Sequence, residues 1–267
     1  MTLVRPQDLQ DLAQSLLDRP KGSKFISDPA QEDCPAEQLI SLMEIPELKC
    51  IRKHCCSLSV GVMCTPEQTM IHPLVRNHFP SLLLACQRSA QNGHLRSTIG
   101  GSLCNCARDE YLFPVLLSLD ARAAVVDDTR QMNKVHVETV FSPEGKLALA
   151  DNAVITDFFL PIPLLLQETH CAFAAREQNP ELILAIYVKL DDEEISHARA
   201  VLGGITPRAY RVESAEAYLL GKAPEDLSAA KLTAILQQEL AAHGATYPIG
   251  AVDALVTEAL TQLEEDC

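Results

Sequence analysis

Residues 94 to 126, HLRSTIGGSLCNCARDEYLFPVLLSLDARAAVV, constrain the chain most. The stretch ends one helical segment, turns at Thr98-Ile99-Gly100-Gly101-Ser102 and runs as an apolar helix from about Tyr111 to Leu119. It leaves through the β-prone run Ala123 to Val126. Two adjacent glycines can adopt φ > 0 and carry N–H groups uncovered by any Cβ, so a phosphate or a ring edge can come close. The hydroxyls of Thr98 and Ser102 flank them as further donors. A glycine pair alone is equally the mark of a plain turn; the order helix, glycine turn, apolar helix, strand is what gives it weight.

The remaining composition excludes several classes. A chain of 267 residues can bury a substantial core, and two or three lobes are expected. A formal charge of −14 with no basic run argues against nucleic acid, whose binding is largely electrostatic. The start of the chain already carries Arg5, Asp8 and Asp11, and no apolar run reaches membrane-spanning length, so a cytoplasmic protein without a membrane anchor is expected. Cys50, Cys55, Cys56 and Cys64 cluster, and Cys104 and Cys106 flank Asn105, yet none forms a C-x-x-C pair or stands at zinc or ferredoxin spacing. Reduced core thiols are expected and no metal site, with a cluster cofactor at those four cysteines as the alternative. No Ser-His-Asp or paired-carboxylate pattern stands out, so no catalytic residue is assigned.

Several stretches share an order with one family. Arg5-Pro6 precedes an amphipathic run at Leu9, Leu12, Ala13, Leu16 and Leu17, then a short strand Lys24-Phe25-Ile26. Leu39-Ile40-Ser41-Leu42 with Ile45-Pro46-Glu47-Leu48 follows, then an alternating strand Leu58 to Val62 and a turn at Cys64-Thr65-Pro66-Glu67. Pro73 to Ala90 is expected as one or two buried helices, with Pro80 at a helix start. Later come Val135 to Phe141 as an alternating strand, Ala153 to Pro161 as another, and an apolar run Leu182 to Leu190. Next stands Ala198-Arg199-Ala200-Val201-Leu202-Gly203-Gly204-Ile205-Thr206-Pro207-Arg208 with Leu219-Leu220-Gly221-Lys222, and two amphipathic helices begin from Leu227. With Thr98-Ile99-Gly100-Gly101-Ser102 and Leu116-Leu117-Ser118-Leu119-Asp120-Ala121, this order resembles the FAD-binding medium subunit of the molybdenum hydroxylase family, the xanthine and carbon monoxide dehydrogenases.

The resemblance implies an α+β fold: a two-lobed flavin-binding domain, residues 1–56 and 57–166, and a C-terminal lobe of a small antiparallel sheet with helices, residues 167–267. It implies FAD as cofactor, with Thr98, Gly100, Gly101 and Ser102 near its diphosphate through backbone N–H and hydroxyl donation. Gly203-Gly204 is expected to set strand geometry instead. The resemblance also implies an iron–sulphur subunit and a molybdenum-cofactor subunit as partners, and electron transfer through FAD to NAD or another acceptor. The chain departs from the family at its first glycine loop, where Asp28 and Pro29 replace two glycines. It departs again at His94-Leu95, at Ser102 and at Tyr111, where the family carries other polar residues. A structural subunit that has lost flavin and serves as a scaffold is the alternative.

Overall fold

The computed structural model describes residues 2–17, 19–20, 22–27, 35–91, 97–104, 111–129, 131–163, 168–177 and 181–265. Asp28 and Pro29, His94 to Arg96, and Asn105 with Cys106 lie outside the described residues. Three sheets follow one another along the chain.

The first is parallel, in the order β1 (Thr2–Val4), β3 (Gln38–Ser41), β2 (Lys24–Ile26), with Leu3 opposite Leu39 and Phe25 opposite Ile40. Helix α1 (Leu9–Leu17) joins β1 to β2 and buries Leu12, Ala13 and Leu16, the stripe that a 3.6-residue period predicts. It starts where Asp8 accepts from the N–H groups of Gln10 and Asp11, both at 2.8 Å, filling donors that a helix start leaves open.

The second sheet is antiparallel: β4 (Ile51–Lys53), β5 (Ser57–Gly61), β8 (Val154–Pro161), β6 (Arg122–Val126) and β7 (Met132–His136), in that order. Because β4 pairs with β5 as a hairpin, this sheet begins at Ile51, ahead of the expected boundary at 56. β5 does not alternate: Leu58, Ser59, Val60 and Gly61 are all buried, as befits a strand with neighbours on both sides and cover on both faces. Between β5 and β6 run α2 (Pro66–Ile71), α3 (Pro73–His78), α4 (Pro80–Ser89), α5 (Ile99–Cys104) and α6 (Leu112–Ser118). Prolines open α2, α3 and α4, where the missing N–H costs nothing. Thr65, expected in a turn, closes a capping box with Gln68. The expected strand Val135 to Phe141 ends at His136, and Val137–Val140 forms one helical turn, α7, that buries Val137 and Val140.

The third sheet has the order β12 (Tyr210–Arg211), β11 (Glu194–Gly203), β10 (Leu182–Asp191), β9 (Glu168–Arg176). Side chains alternate across it. Phe173, Ala175, Ile183, Ala185 and Val201 join the core of the flavin-type lobes. Ala172, Ala174, Leu184, Ile186 and Leu202 face α8 (Glu213–Leu219), α9 (Ala229–Ala242) and α10 (Ile249–Glu265). Both faces are therefore dry, which is why Leu182 to Leu190 is apolar with so little alternation. At the free edge of β9, the Gln262 amide accepts from Phe173 N at 2.8 Å and donates to Phe173 O at 3.0 Å. Asp192 and Glu193 (φ 49° and 68°) make the tight β10–β11 turn, the conformation two-residue hairpins favour.

Polar contacts bind this lobe to the second one. Tyr111 Oη donates to Glu181 Oε2 at 2.6 Å, Arg199 pairs with Asp120 at 2.9 Å, and Arg208 Nη1 donates to the carbonyls of Glu138 and Phe141 at 2.8 and 2.7 Å. Tyr111 is thus a joint between lobes. No helix among the described residues is long and apolar enough to cross a membrane.

Candidate functional site

A cleft of about 200 Å³ opens between the first and second sheets. Phe25, Ile26 and Ser27 at the end of β2, with Leu42 just past β3, form one wall. Val62 and Met63 beyond β5, Leu147, and Ala153 to Ile155 at the start of β8 form the other. Thr98, Gly100, Gly101 and Cys104, from α5 and the residue before it, close the end. The Arg19 guanidinium lies over the Phe25 ring at 4.5 Å, placing a cation behind one wall.

The glycine pair does not form the expected turn. Gly100 and Gly101 lie inside α5, and neither is among the glycines with positive φ. Close approach is what requires them. A Cβ on Gly100 would stand 2.8 Å from Val62 Cβ and 3.1 Å from Val62 O; one on Gly101 would stand 2.9 Å from Thr98 Oγ1 and 3.0 Å from Ser27 Oγ. The reason lies in the hydrogen bonds. Ile99 N donates to Cys64 O and Gly100 N to Val62 O, both at 2.8 Å, so the turn after β5 is laced to the start of α5. Gly101 N donates to Thr98 Oγ1 at 3.0 Å and Ser102 N to Thr98 O at 2.9 Å.

These bonds bear directly on ligand binding. All four N–H groups from Ile99 to Ser102 already have protein acceptors, so the polar groups turned to the cleft here are hydroxyls. Thr98 Oγ1 accepts from Gly101 N and keeps its own O–H to donate. Ser27 Oγ approaches the same point from the first lobe. Ser102 is different: its Oγ lies 2.9 Å from Ser97 Oγ, and it does not line the cleft. Of the four residues singled out in the sequence, Thr98, Gly100 and Gly101 therefore meet at the cleft and Ser102 stands behind it. Ser27, Phe25 and Cys104 were missed; the only signal for Ser27 was its place after a strand that led into the family's first glycine loop. The expected donors Asp28 and Pro29 displace lie outside the described residues.

The second glycine pair plays the structural part expected of it. Gly204 has φ +90°, and a Cβ there would stand 1.6 Å from Glu181 O, so the turn after β11 passes hard against the start of β10.

The remaining candidates resolve simply. Among the described residues no group of three or more His, Cys, Asp or Glu is arranged to hold a metal. Cys64 is buried, and burial pushes its thiol up to about 11, which keeps it protonated. Asp157, buried in β8, is pushed above the ordinary aspartate range by its burial, against the Thr156 hydrogen bond and the charges of Arg52, His54 and Lys134.

The family model described as the FAD binding domain in molybdopterin dehydrogenase matches residues 1–163, and that of the CO dehydrogenase flavoprotein C-terminal domain matches residues 180–247. The carbon monoxide dehydrogenase medium chain of Hydrogenophaga pseudoflava is 25% identical over 192 residues, 70% of this chain and 66% of the relative's own length. The solved carbon monoxide dehydrogenase of that organism superposes with a TM-score of 0.82 at 20% identity, covering 100% of this chain and 98% of the other. Quinoline 2-oxidoreductase from Pseudomonas putida 86 superposes with a TM-score of 0.77 at 19% identity, covering 99% and 97%. FAD is the cofactor of the matched family, and the described cleft fits one: apolar walls for a planar ring and two converging hydroxyls for a phosphate group. With most of its length in that match, the chain belongs to the family of FAD-binding domains found in molybdopterin dehydrogenases.

Proposed function

We propose that this chain is the FAD-carrying electron-transfer subunit of a molybdenum hydroxylase-type oxidoreductase complex. It would stand between an iron–sulphur subunit and an acceptor such as NAD, with substrate chemistry on a molybdenum-cofactor subunit. The observation that carries the reading is the cleft between the two flavin-type lobes, closed by Gly100 and Gly101, where an added Cβ would crowd Val62, Thr98 and Ser27.

A bound flavin supplies one- and two-electron redox chemistry. The chain's own residues would hold and shield it. Thr98 and Ser27 present hydroxyls to a phosphate oxygen; the apolar walls from Ile26, Leu42, Val62 and Ile155 exclude water from the ring. Gly100 and Gly101 keep the floor low. Ser102 supports this end from behind through Ser97.

A second reading, a scaffold subunit without flavin, draws on one observation: the N–H groups at the start of α5 are spent within the protein. The visible absorption spectrum of the purified chain, followed by heat release of any chromophore, separates the two. Flavin bands and released FAD are expected. Protein that stays colourless after incubation with FAD and its partner subunits favours the scaffold. Gly101→Val, whose side chain would fill the cleft end, is expected to abolish FAD binding; full flavin occupancy in that variant would sink the site assignment.

A further inference from the structure

The four clustered cysteines separate into two kinds. Cys64 is buried in the core, and Cys50 Sγ donates to Pro46 O at 3.2 Å. Cys55 and Cys56 are both exposed. They form the tip of the β4–β5 hairpin: Lys53 pairs with Leu58, and His54 N donates to Ser57 O at 2.7 Å, so these two residues are the loop itself. The two thiols are neighbours at that tip, and Cys55 pushes the Cys56 thiol up. The neighbouring imidazole is committed elsewhere. His54 packs on Phe159 at 5.1 Å between centroids and its Nε2 lies 3.0 Å from Ser59 Oγ, so it is not placed as a base for the pair.

We propose that Cys55 and Cys56 form a thiol–disulfide exchange site that closes reversibly into a disulfide between neighbouring residues. The oxidant is a low-molecular-weight disulfide of the glutathione class. The Cys55 thiolate attacks one sulfur of that disulfide, forming a mixed disulfide and expelling one thiolate. Cys56, still a thiol, gives its proton to the expelled thiolate. Its own sulfur then attacks Cys55 Sγ and releases the second small thiolate, which takes up the proton Cys55 lost at the start. The dithiol loses two electrons and two protons, and the small disulfide gains them as two thiols.

Geometry makes the closed form labile. Neighbouring Cα atoms are about 3.8 Å apart across a trans peptide, below the roughly 4.4 Å at which disulfides ordinarily begin. A bond at this site is therefore strained and easily reduced, the property of a responsive rather than a structural disulfide. The site is also wired to the sheet. Cys56 O accepts from Ile162 N at 3.0 Å, the rung just beyond the end of β8.

The test treats the full chain with excess oxidised glutathione, digests it with trypsin without reduction and fragments the peptide from His54 to Arg76. Loss of two hydrogens is expected, with no fragment separating Cys55 from Cys56, and dithiothreitol should reverse it. Cys56→Ser should instead retain glutathione on Cys55. A stable glutathione adduct on either cysteine of the unmodified sequence would overturn the proposal. So would a bond from either one to a third cysteine, or no change in the peptide at all.

Discussion

Three glycines show how a single missing Cβ can serve different ends. At Gly204 the added atom would overlap a backbone carbonyl at 1.6 Å with φ already at +90°, so Gly204→Ala is expected to yield little folded protein, read as loss of soluble expression. At Gly100 the clash is with Val62 at 2.8 Å and its carbonyl at 3.1 Å. Gly100→Ala should cost about 1–3 kcal/mol, the usual range for overpacking, seen as a lowered thermal midpoint. At Gly101 the obstacles are two hydroxyls, one of which, Thr98 Oγ1, also accepts from Gly101 N. Ser27→Ala should weaken FAD by about tenfold, or about 1.4 kcal/mol, in a direct titration. The sequence made this region legible as a position but misled as to conformation. A glycine pair signals a turn, and glycine inside a helix costs about 1 kcal/mol; here the carbonyls of Val62 and Cys64, from outside the segment, and the Thr98 hydroxyl at its start hold the helix.

Elements were read best where burial is one-sided and local. The stripe of α1 and the prolines that open α3 and α4 needed only period and φ preference. β4 and β9 escaped notice because an edge strand is defined by the partner it finds. Val135 to Phe141 looked like one strand since a single helical turn has the apolar spacing of neither element. β8 carries a testable consequence of its central place. The native state holds the Asp157 proton more tightly than the unfolded chain, so stability falls as pH rises from the ordinary aspartate range through the raised folded value. Above that value the cost is fully present. Asp157→Asn should raise the thermal midpoint at neutral pH, and the advantage should shrink in acid. Tyr111→Phe tests the joint between lobes: losing the 2.6 Å bond to Glu181 should cost about 1.5–3 kcal/mol, as bonds to charged groups do, measured by denaturant unfolding.

On the scale of the whole molecule, three sheets in sequence share two cores, and the third sheet belongs to both. That arrangement was legible as an order of motifs, whereas the two-faced burial of β9, β10 and β11 emerges only once the lobes are assembled. Ligand should act on the assembly as a unit: FAD at a hundred times its dissociation constant should add about 2.7 kcal/mol to stability, read as an upward shift in thermal midpoint. Gln262 has a consequence beyond the single molecule. By meeting both the N–H and the carbonyl of Phe173 with one side-chain amide, it imitates the next strand and occupies a rung that another molecule could otherwise take. Without it, that rung of the β9 edge would be left with an unmet donor and acceptor, the kind of group that pairs with another chain.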